Sequence, residues 1–309
     1  MSKILVINGH CLGEYCDVAV LPTAGATVVA HNRRRIEDGG KGTNVAVAIG
    51  RLGGSVAYIN KCGDDEGGHL GQQWMKAAGV DLRHYVLDPA IDTNSGLCIV
   101  AGDGSNIIFN FFDDKNAITP EELDACLPQC TGAEYLVTGF ELPWRTALHA
   151  AKLGKSLGLH TILNPSPLEP GADLGSLDYV DTLIVNETET EILLDRPAGS
   201  VTDYEAAAEE LRSRYGVRNA VVTLGSKGSL ARTPEGAFRA KPLSVRAVDT
   251  VGAGDGYLAA LVWRLSEGDA FDAAMRWASR YAAYICAHVG TIGVYPTMEQ
   301  LETFWRENP

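Results

Sequence analysis

The sequence predicts an α/β fold: a central, mainly parallel sheet flanked by helices, with a small β-sheet lid. Three observations predict it. Short, continuous apolar runs recur along the chain. Helix-like stretches separate them, and two segments leave this alternation for ribbon-like patterns and then return to it. Continuous apolar runs suit strands covered on both faces, and strand alternating with helix is the mark of a mainly parallel sheet.

The first run, Lys3–Asn8 (KILVIN), reads as a central strand. Further strands are expected at Val56–Lys61, Tyr135–Thr138, Thr161–Asn164, Thr182–Asn186 and Ala220–Leu224. Helices are expected between them at Thr43–Leu52, His69–Ala78, Pro143–Leu157, Glu187–Leu194 and Tyr204–Tyr215, and three more at Gly254–Leu265, Ala270–Ala287 and Met298–Trp305. Tyr15–Arg35 and Gly96–Phe112 read as β ribbons; the second holds two apolar runs around Gly102-Asp103-Gly104-Ser105, a hairpin signal. The expected organisation is one domain over 1–309, with a discontinuous lid from about 12–38 and 94–113.

Of the 309 residues, 46% are hydrophobic and 21% charged, which gives ample material for a large core. The formal net charge of −13 argues against nucleic acid or an anionic membrane as a partner. An anionic nucleotide would need local donors and metal ions. The seven cysteines are scattered, with no zinc-like spacing, and are expected to be reduced thiols. No apolar run approaches the ~20 residues of a bilayer span and the start lacks a signal core, so a cytoplasmic location is expected.

Four motifs carry chemistry. Gly39-Gly40-Lys41-Gly42-Thr43-Asn44 opens a helix, so backbone N–H groups and a partial positive charge face a polar or anionic ligand. Asn44 adds a donor and an acceptor for hydroxyls; the plainer reading is a glycine-rich turn, and GxxxxGK[ST] is absent. Asp249-Thr250-Val251-Gly252-Ala253-Gly254-Asp255 opens another helix. Residues 252 to 254 form an anion hole for a transferring phosphoryl group, and Asp255 stands beside it as a base that accepts a proton late. Alone, Asp255 would merely favour the helix dipole, worth ~0.3–1 kcal/mol. GAGDGY is not the dinucleotide fingerprint, which excludes a nicotinamide enzyme. Thr223-Leu224-Gly225-Ser226-Lys227-Gly228 follows a strand and can wrap a nucleotide. Asn186-Glu187-Thr188-Glu189 ends another strand; its acids suit Mg²⁺ held through water, or are ordinary first-turn charges.

Taken together and in this order, GGKGTN, NETE, TLGSKG and DTVGAGD resemble the signatures and nucleotide segments of the ribokinase-like (PfkB) kinases, from the first strand to Pro296. The resemblance implies an ATP-dependent kinase that phosphorylates a primary hydroxyl of a small sugar, a ribose-like pentose, between the sheet and the lid. Asp255 matches the catalytic base, with Gly252, Ala253 and Gly254 as the anion hole. Asp17, Gly40, Asn44 and Glu141 match sugar-facing positions, with Lys41 at the periphery of the pocket. Asn186, Thr223, Gly225, Ser226, Lys227 and Gly228 match the nucleotide site, and Glu189 the acid associated with Mg²⁺. Asp249 and the Val251 carbonyl match a monovalent cation site, K⁺ being the expected ion. A homodimer through the lid is expected, because open ribbon edges need cover. The run Arg33-Arg34-Arg35 reads as an edge strand blunted by charge, with an anionic-substrate contact as the sharper alternative.

Two other functions fit parts of the pattern. A kinase of the same fold acting on a nucleoside would show aromatic residues over the substrate, and one acting on a phosphosugar would show Arg in the pocket. A non-catalytic nucleotide- or sugar-binding regulator is opposed by the intact Asp255 beside its Gly-Ala-Gly turn.

Overall fold

The computed structural model describes residues 2–35, 38–103 and 105–308, with Asn106 and Ile108 described by backbone alone. The expected lid segments therefore include Ile36, Glu37 and Gly104, which lie outside the described residues.

In chain order the elements begin with β1 (Ile4–Ile7), β2 (Cys11–Val18), β3 (His31–Arg35), α1 (Gly40–Arg51), β4 (Val56–Gly63), α2 (Glu66–Ala77) and β5 (Asp81–Asp88). Next come β6 (Asn94–Ala101), β7 (Asn106–Phe111), α3 (Pro120–Cys126), β8 (Tyr135–Gly139), α4 (Trp144–Ser156), β9 (His160–Asn164), β10 (Thr182–Asn186) and α5 (Glu187–Leu193). The remainder is α6 (Tyr204–Tyr215), β11 (Asn219–Thr223), β12 (Ser229–Thr233), β13 (Gly236–Ala240), α7 (Ala253–Ser266), α8 (Phe271–Cys286) and α9 (Met298–Glu307).

Among the described residues the main sheet runs β13-β12-β11-β10-β9-β8-β1-β4-β5. It is parallel from β11 to β5, and β12 and β13 turn back as an antiparallel hairpin at one edge. Side chains alternate across each strand. Ile4 and Val6 of β1 therefore join a core with α1, α7 and α8, whereas Leu5 and Ile7 join a second core on the opposite face with α4 and α6. All four are buried, as an apolar strand with helices on both faces requires. A smaller sheet, β3-β2-β6-β7, draws its strands from the two ribbon-like segments.

Every strand expected for the main sheet is present, but the sheet extends further at both edges. β5 (DLRHYVLD) and the β12–β13 hairpin did not declare themselves as apolar runs. Both lie toward an edge, where one side of a strand is wet and polar residues interrupt the pattern. The arginine run forms β3, whose five residues are all exposed at the edge of the small sheet.

Parallel strands align their carboxyl ends. Asn8 after β1, Gly139 at the end of β8, Asn186 at the end of β10 and Thr223 at the end of β11 thus share one rim of the sheet. Ligand sites of open α/β sheets lie outside this rim, and β2 and β6 of the small sheet stand over it.

Candidate active site

A cavity of about 270 Å³ opens between the rim and the small sheet. The rim side supplies Asp38, Gly40, Lys41, Asn44, Glu141, Val251, Gly252 and Asp255; the lid side supplies Cys11, Glu14, Tyr15, Cys98, Asn110 and Phe112.

Asp255 lies in the first turn of α7 and is buried. Its Oδ2 accepts a hydrogen bond from Asn44 Nδ2 at 2.9 Å, and its Oδ1 lies 3.7 Å from the Lys41 ammonium. Burial pushes its carboxyl above the usual carboxylate range, while Lys41 and Asn44 pull it back toward the ionised form. Lys41 is flanked by carboxylates: burial opposes its charge, but Asp255, Glu141, Glu189 and Asp38 together hold it firmly protonated. The sequence placed Lys41 at the periphery. The structure corrects this, because the turn into α1 aims the side chain across the cavity floor at Asp255.

Glu141 follows β8 and reaches back to α1, where its Oε2 accepts the Lys41 backbone N–H at 2.6 Å. Burial is the first cause that pushes its carboxyl up to about 8; Asp255 and Asp38 add to it and Lys41 opposes it. The close approach that permits this contact needs a glycine at residue 9, since a Cβ there would meet the Glu141 carbonyl oxygen at 2.9 Å.

Asp38 was missed by the sequence reading. It precedes the Gly39-Gly40 pair and accepts from Asn44 Nδ2 at 2.8 Å and from the Gly40 backbone N–H at 3.2 Å. An aspartate before two glycines reads as an ordinary turn, and nothing in its spacing singles it out.

At the start of α7, Gly252 takes φ +74, and a Cβ there would stand 2.7 Å from the Tyr295 hydroxyl. Tyr295 donates to the Gly252 carbonyl at 3.2 Å and so props the turn from behind. Tyr295 was also missed; its apolar surroundings in sequence give no sign of this contact. The Ala253 amide reaches the Thr250 carbonyl at 3.3 Å, whereas a Cβ on Gly254 would meet nothing within 4 Å.

Asp17 does not join the cavity. It lies past a bulge between Tyr15 and Asp17 and pairs with Arg34 at 2.9 Å and Asn32 at 3.1 Å on the neighbouring strand. The acid of β2 that reaches the cavity is Glu14, itself bound by Arg33 at 2.7 Å. Arg35 pairs with Glu66. The arginines are therefore spent on acids of the lid and its neighbour, as a blunted edge strand would have them.

The nucleotide-motif residues gather further along the rim. Asn186 and Thr223 are register partners on adjacent strands. Asn186 caps α5 through the Glu189 amide at 2.8 Å, and the buried Glu189 returns a bond to the Asn186 amide at 2.9 Å, a capping box. Gly225, Ser226 and Lys227 form a short 3₁₀ turn after β11. Lys227 is exposed, 3.9 Å from Glu187. Tyr257 of α7 donates to Ser229 Oγ at 2.8 Å, which ties this turn to the helix that carries Asp255. The Asp249 carboxylate accepts from Val251 at 3.0 Å and from Gly290 at 3.1 Å, drawing two loops together beside the α7 turn.

The model of the pfkB family carbohydrate kinases matches residues 6–298. The chain belongs to that family. This kinase is 32% identical over 307 residues to a ribokinase of Bacillus subtilis, covering 98% of this chain and 99% of the relative. It is 30% identical over 301 residues to a deoxyribokinase of Salmonella typhi, covering 97% and 98%. A ribokinase structure from Thermotoga maritima superposes with a TM-score of 0.84 at 26% identity, over 99% of this chain and 100% of that one. The kinase therefore has the ribokinase fold and phosphorylates a sugar. No described helix is long and apolar enough to cross a membrane.

Proposed function

We propose that the kinase transfers a phosphoryl group from ATP to a primary hydroxyl of a neutral five-carbon sugar, ribose or deoxyribose, with Asp255 as the base. The observation that carries this reading is the placement of Asp255: buried at the cavity floor, 3.7 Å from Lys41, in the first turn of the helix opened by Gly252, Ala253 and Gly254. The sugar hydroxyl hands its proton to Asp255 as its oxygen attacks the terminal phosphorus, the bond from that phosphorus to the bridging oxygen breaks and ADP leaves, and the α7 start faces the charge on the equatorial oxygens. A terminal CH₂OH suits a base on a narrow floor, within about 3 Å of the reacting oxygen.

The cavity supports a small, neutral acceptor. Its volume is at the low end for ligand sites. Its floor holds the carboxyl groups of Asp38 and Asp255, whose negative charge would repel a substrate phosphate. Arg33, Arg34 and Arg35 are paired with acids and exposed. Lys41 faces the base, so it serves the transferring phosphoryl group better than a phosphate carried by the sugar. Glu14 and Asn110 on the lid side, with Glu141 below, meet the sugar's other hydroxyls.

The nucleotide lies along Asn186, Thr223, Gly225, Ser226, Lys227 and Gly228. Glu189 fits Mg²⁺ held through water, because its carboxylate is a hard oxygen donor whose direction is fixed by the Asn186 amide. The Asp249 carboxylate and the Val251 carbonyl fit K⁺, as oxygen donors on a loop cross-tied to Gly290. When bound, these ions supply charge compensation for the phosphates and hold the turn before α7. The exposed Val20, Val28, Val29, Phe109 and Phe111 of the lid region are covered by a second copy, in a cytoplasmic homodimer. A single monomer mass by light scattering at micromolar concentration would remove the dimer from this reading.

The deciding experiment offers ATP with ribose, deoxyribose, hexoses, ketoses, nucleosides and pentose phosphates, and measures product. Preference for a free pentose is the expected result. Strong preference for a phosphosugar, lost in Arg34→Ala, would overturn the neutral-sugar reading.

A further inference from the structure

We infer that Asp38 is a positioning residue for phosphoryl transfer, acting through Asn44 on Asp255. This rests on the proposed role of Asp255 as the base.

The Asn44 amide nitrogen carries two hydrogens. Asn44 Nδ2 lies 2.8 Å from Asp38 Oδ1 and 2.9 Å from Asp255 Oδ2, so one nitrogen bridges two carboxylates. Its own oxygen accepts the Gly39 backbone N–H at 3.3 Å. Asn44 is buried, and both of its amide hydrogens and its oxygen have partners.

An amide can rotate by half a turn and present its oxygen where its nitrogen stood. With Asp255 alone as a neighbour, the flip would set one oxygen against another and leave the base without its donor. Asp38 doubles the penalty, because a flipped Asn44 would then oppose two carboxylates at once. Asp38 is fixed in turn by the Gly40 N–H at 3.2 Å, and Gly40 adopts φ +73 to offer it. The chain Gly40–Asp38–Asn44–Asp255 thus fixes which Asp255 oxygen is capped. Oδ2 is engaged by Asn44, which leaves Oδ1, beside Lys41, for the reacting hydroxyl.

The effect belongs to the chemical step. A base turned by a fraction of an ångström loses alignment with the attacking oxygen, at a cost in rate rather than in sugar affinity. Asp38 also stands at the cavity wall, so a direct hold on the sugar is the rival role; it would appear in KM.

The test compares Asp38→Ala, Asp38→Asn and Asp255→Asn in the full-length kinase, each with a thermal melt and a measured ADP affinity to show that it is folded. Asp38→Ala is expected to lower kcat about tenfold while the sugar KM stays within about threefold. Asp38→Asn keeps an oxygen that accepts from Asn44, and is expected to restore most of the lost kcat. A rise in KM with kcat intact, or equal loss of kcat in both Asp38 variants, would overturn the inference. So would wild-type kcat in Asp38→Ala alongside an inactive Asp255→Asn, which would leave the base assignment standing. An active Asp255→Asn would instead bring down the assignment of the base, and this inference with it.

Discussion

Two helices of this kinase begin with nearly the same chemistry and are put to opposite uses. α1 opens on Gly-Gly-Lys-Gly-Thr-Asn, and α7 on Gly-Ala-Gly-Asp. Each presents open backbone N–H groups and a partial positive charge, which draws an anion. At α1 the acceptors are carboxyl groups of the chain itself: Asp38 takes the Gly40 amide and Glu141 the Lys41 amide. At α7 the space over Gly254 is open. A glycine-rich helix start is therefore not a ligand site by composition. The start whose amides are taken by side chains of the chain becomes part of the floor, and the start with open space over Gly254 is the one proposed to meet the phosphoryl group. The sequence reading gave α1 a ligand-facing role because both starts look alike in one dimension; the carboxylate that occupies Lys41's amide comes from about a hundred residues away.

The sharpest way to break this contrast is to disable the acid of α7. Asp255→Asn should lower kcat by at least ~10²-fold while ADP still binds; near-normal turnover in a folded protein would end its assignment as the base. The glycines of the two helices should then fail in different ways. Gly254→Ala has room for its methyl and replaces a poor helix former, so its melting temperature should hold or rise, while the methyl crowds the incoming phosphate and lowers kcat by about tenfold. Gly42→Ala would drive a Cβ into the Gly9 carbonyl and to 2.8 Å from Asn8 C. It should cost about 1–3 kcal/mol or more in stability and lower the melting temperature. If both variants melt alike, the two helix starts do not differ as described.

A gentler probe uses pH. The Glu141 carboxyl is raised to about 8 in the folded protein, chiefly by burial. A raised pKa means that the folded state keeps a proton the unfolded chain releases, so Glu141 favours folding at low pH and that benefit fades as pH rises toward 8. Glu141→Gln cannot titrate. The melting temperature of the wild type should fall relative to that of Glu141→Gln between pH 5 and pH 8; parallel curves would place Glu141 in a wetter setting than the structure gives it. The smallest effect concerns the loop before α7. K⁺ should raise activity a few-fold over a large organic cation at equal ionic strength, by steadying the Asp249–Val251 turn. Equal rates would assign Asp249 to loop structure alone.

Much of this architecture was legible in the chain because buried parallel strands announce themselves. ILVI, TLIVN and NAVVT leave no polar face, and such runs occur where both sides are covered. β5 escaped because Asp81, Arg83 and Asp88 break its apolar pattern at the sheet edge. In the site, Asp255 and Lys41 were found from local motifs, but the distance between them is a tertiary fact. Asp17 came from the family resemblance alone, which does not register the bulge between Tyr15 and Asp17, and Glu14 is the acid of β2 that lines the cavity. Asp38 and Tyr295 were invisible for a related reason. Each acts on a glycine turn through one hydrogen bond, and a single hydrogen bond leaves no periodicity in a sequence.

The position of β1 has a consequence for how the molecule is made. It is the fourth residue of the chain that starts the middle of the sheet, and β1 pairs on one side with β4 and on the other with β8, about 130 residues later. At a synthesis rate of 5–20 residues per second, the first strand emerges roughly 6–25 s before its far neighbour exists. During that interval Leu5 and Ile7, which end on the far face, wait for the second core that β8 and α4 will help to close. The same delay holds the chemistry back: α1 and its lysine are made first, and the aspartate that Lys41 faces arrives only when α7, about 200 residues further along the chain, docks against them.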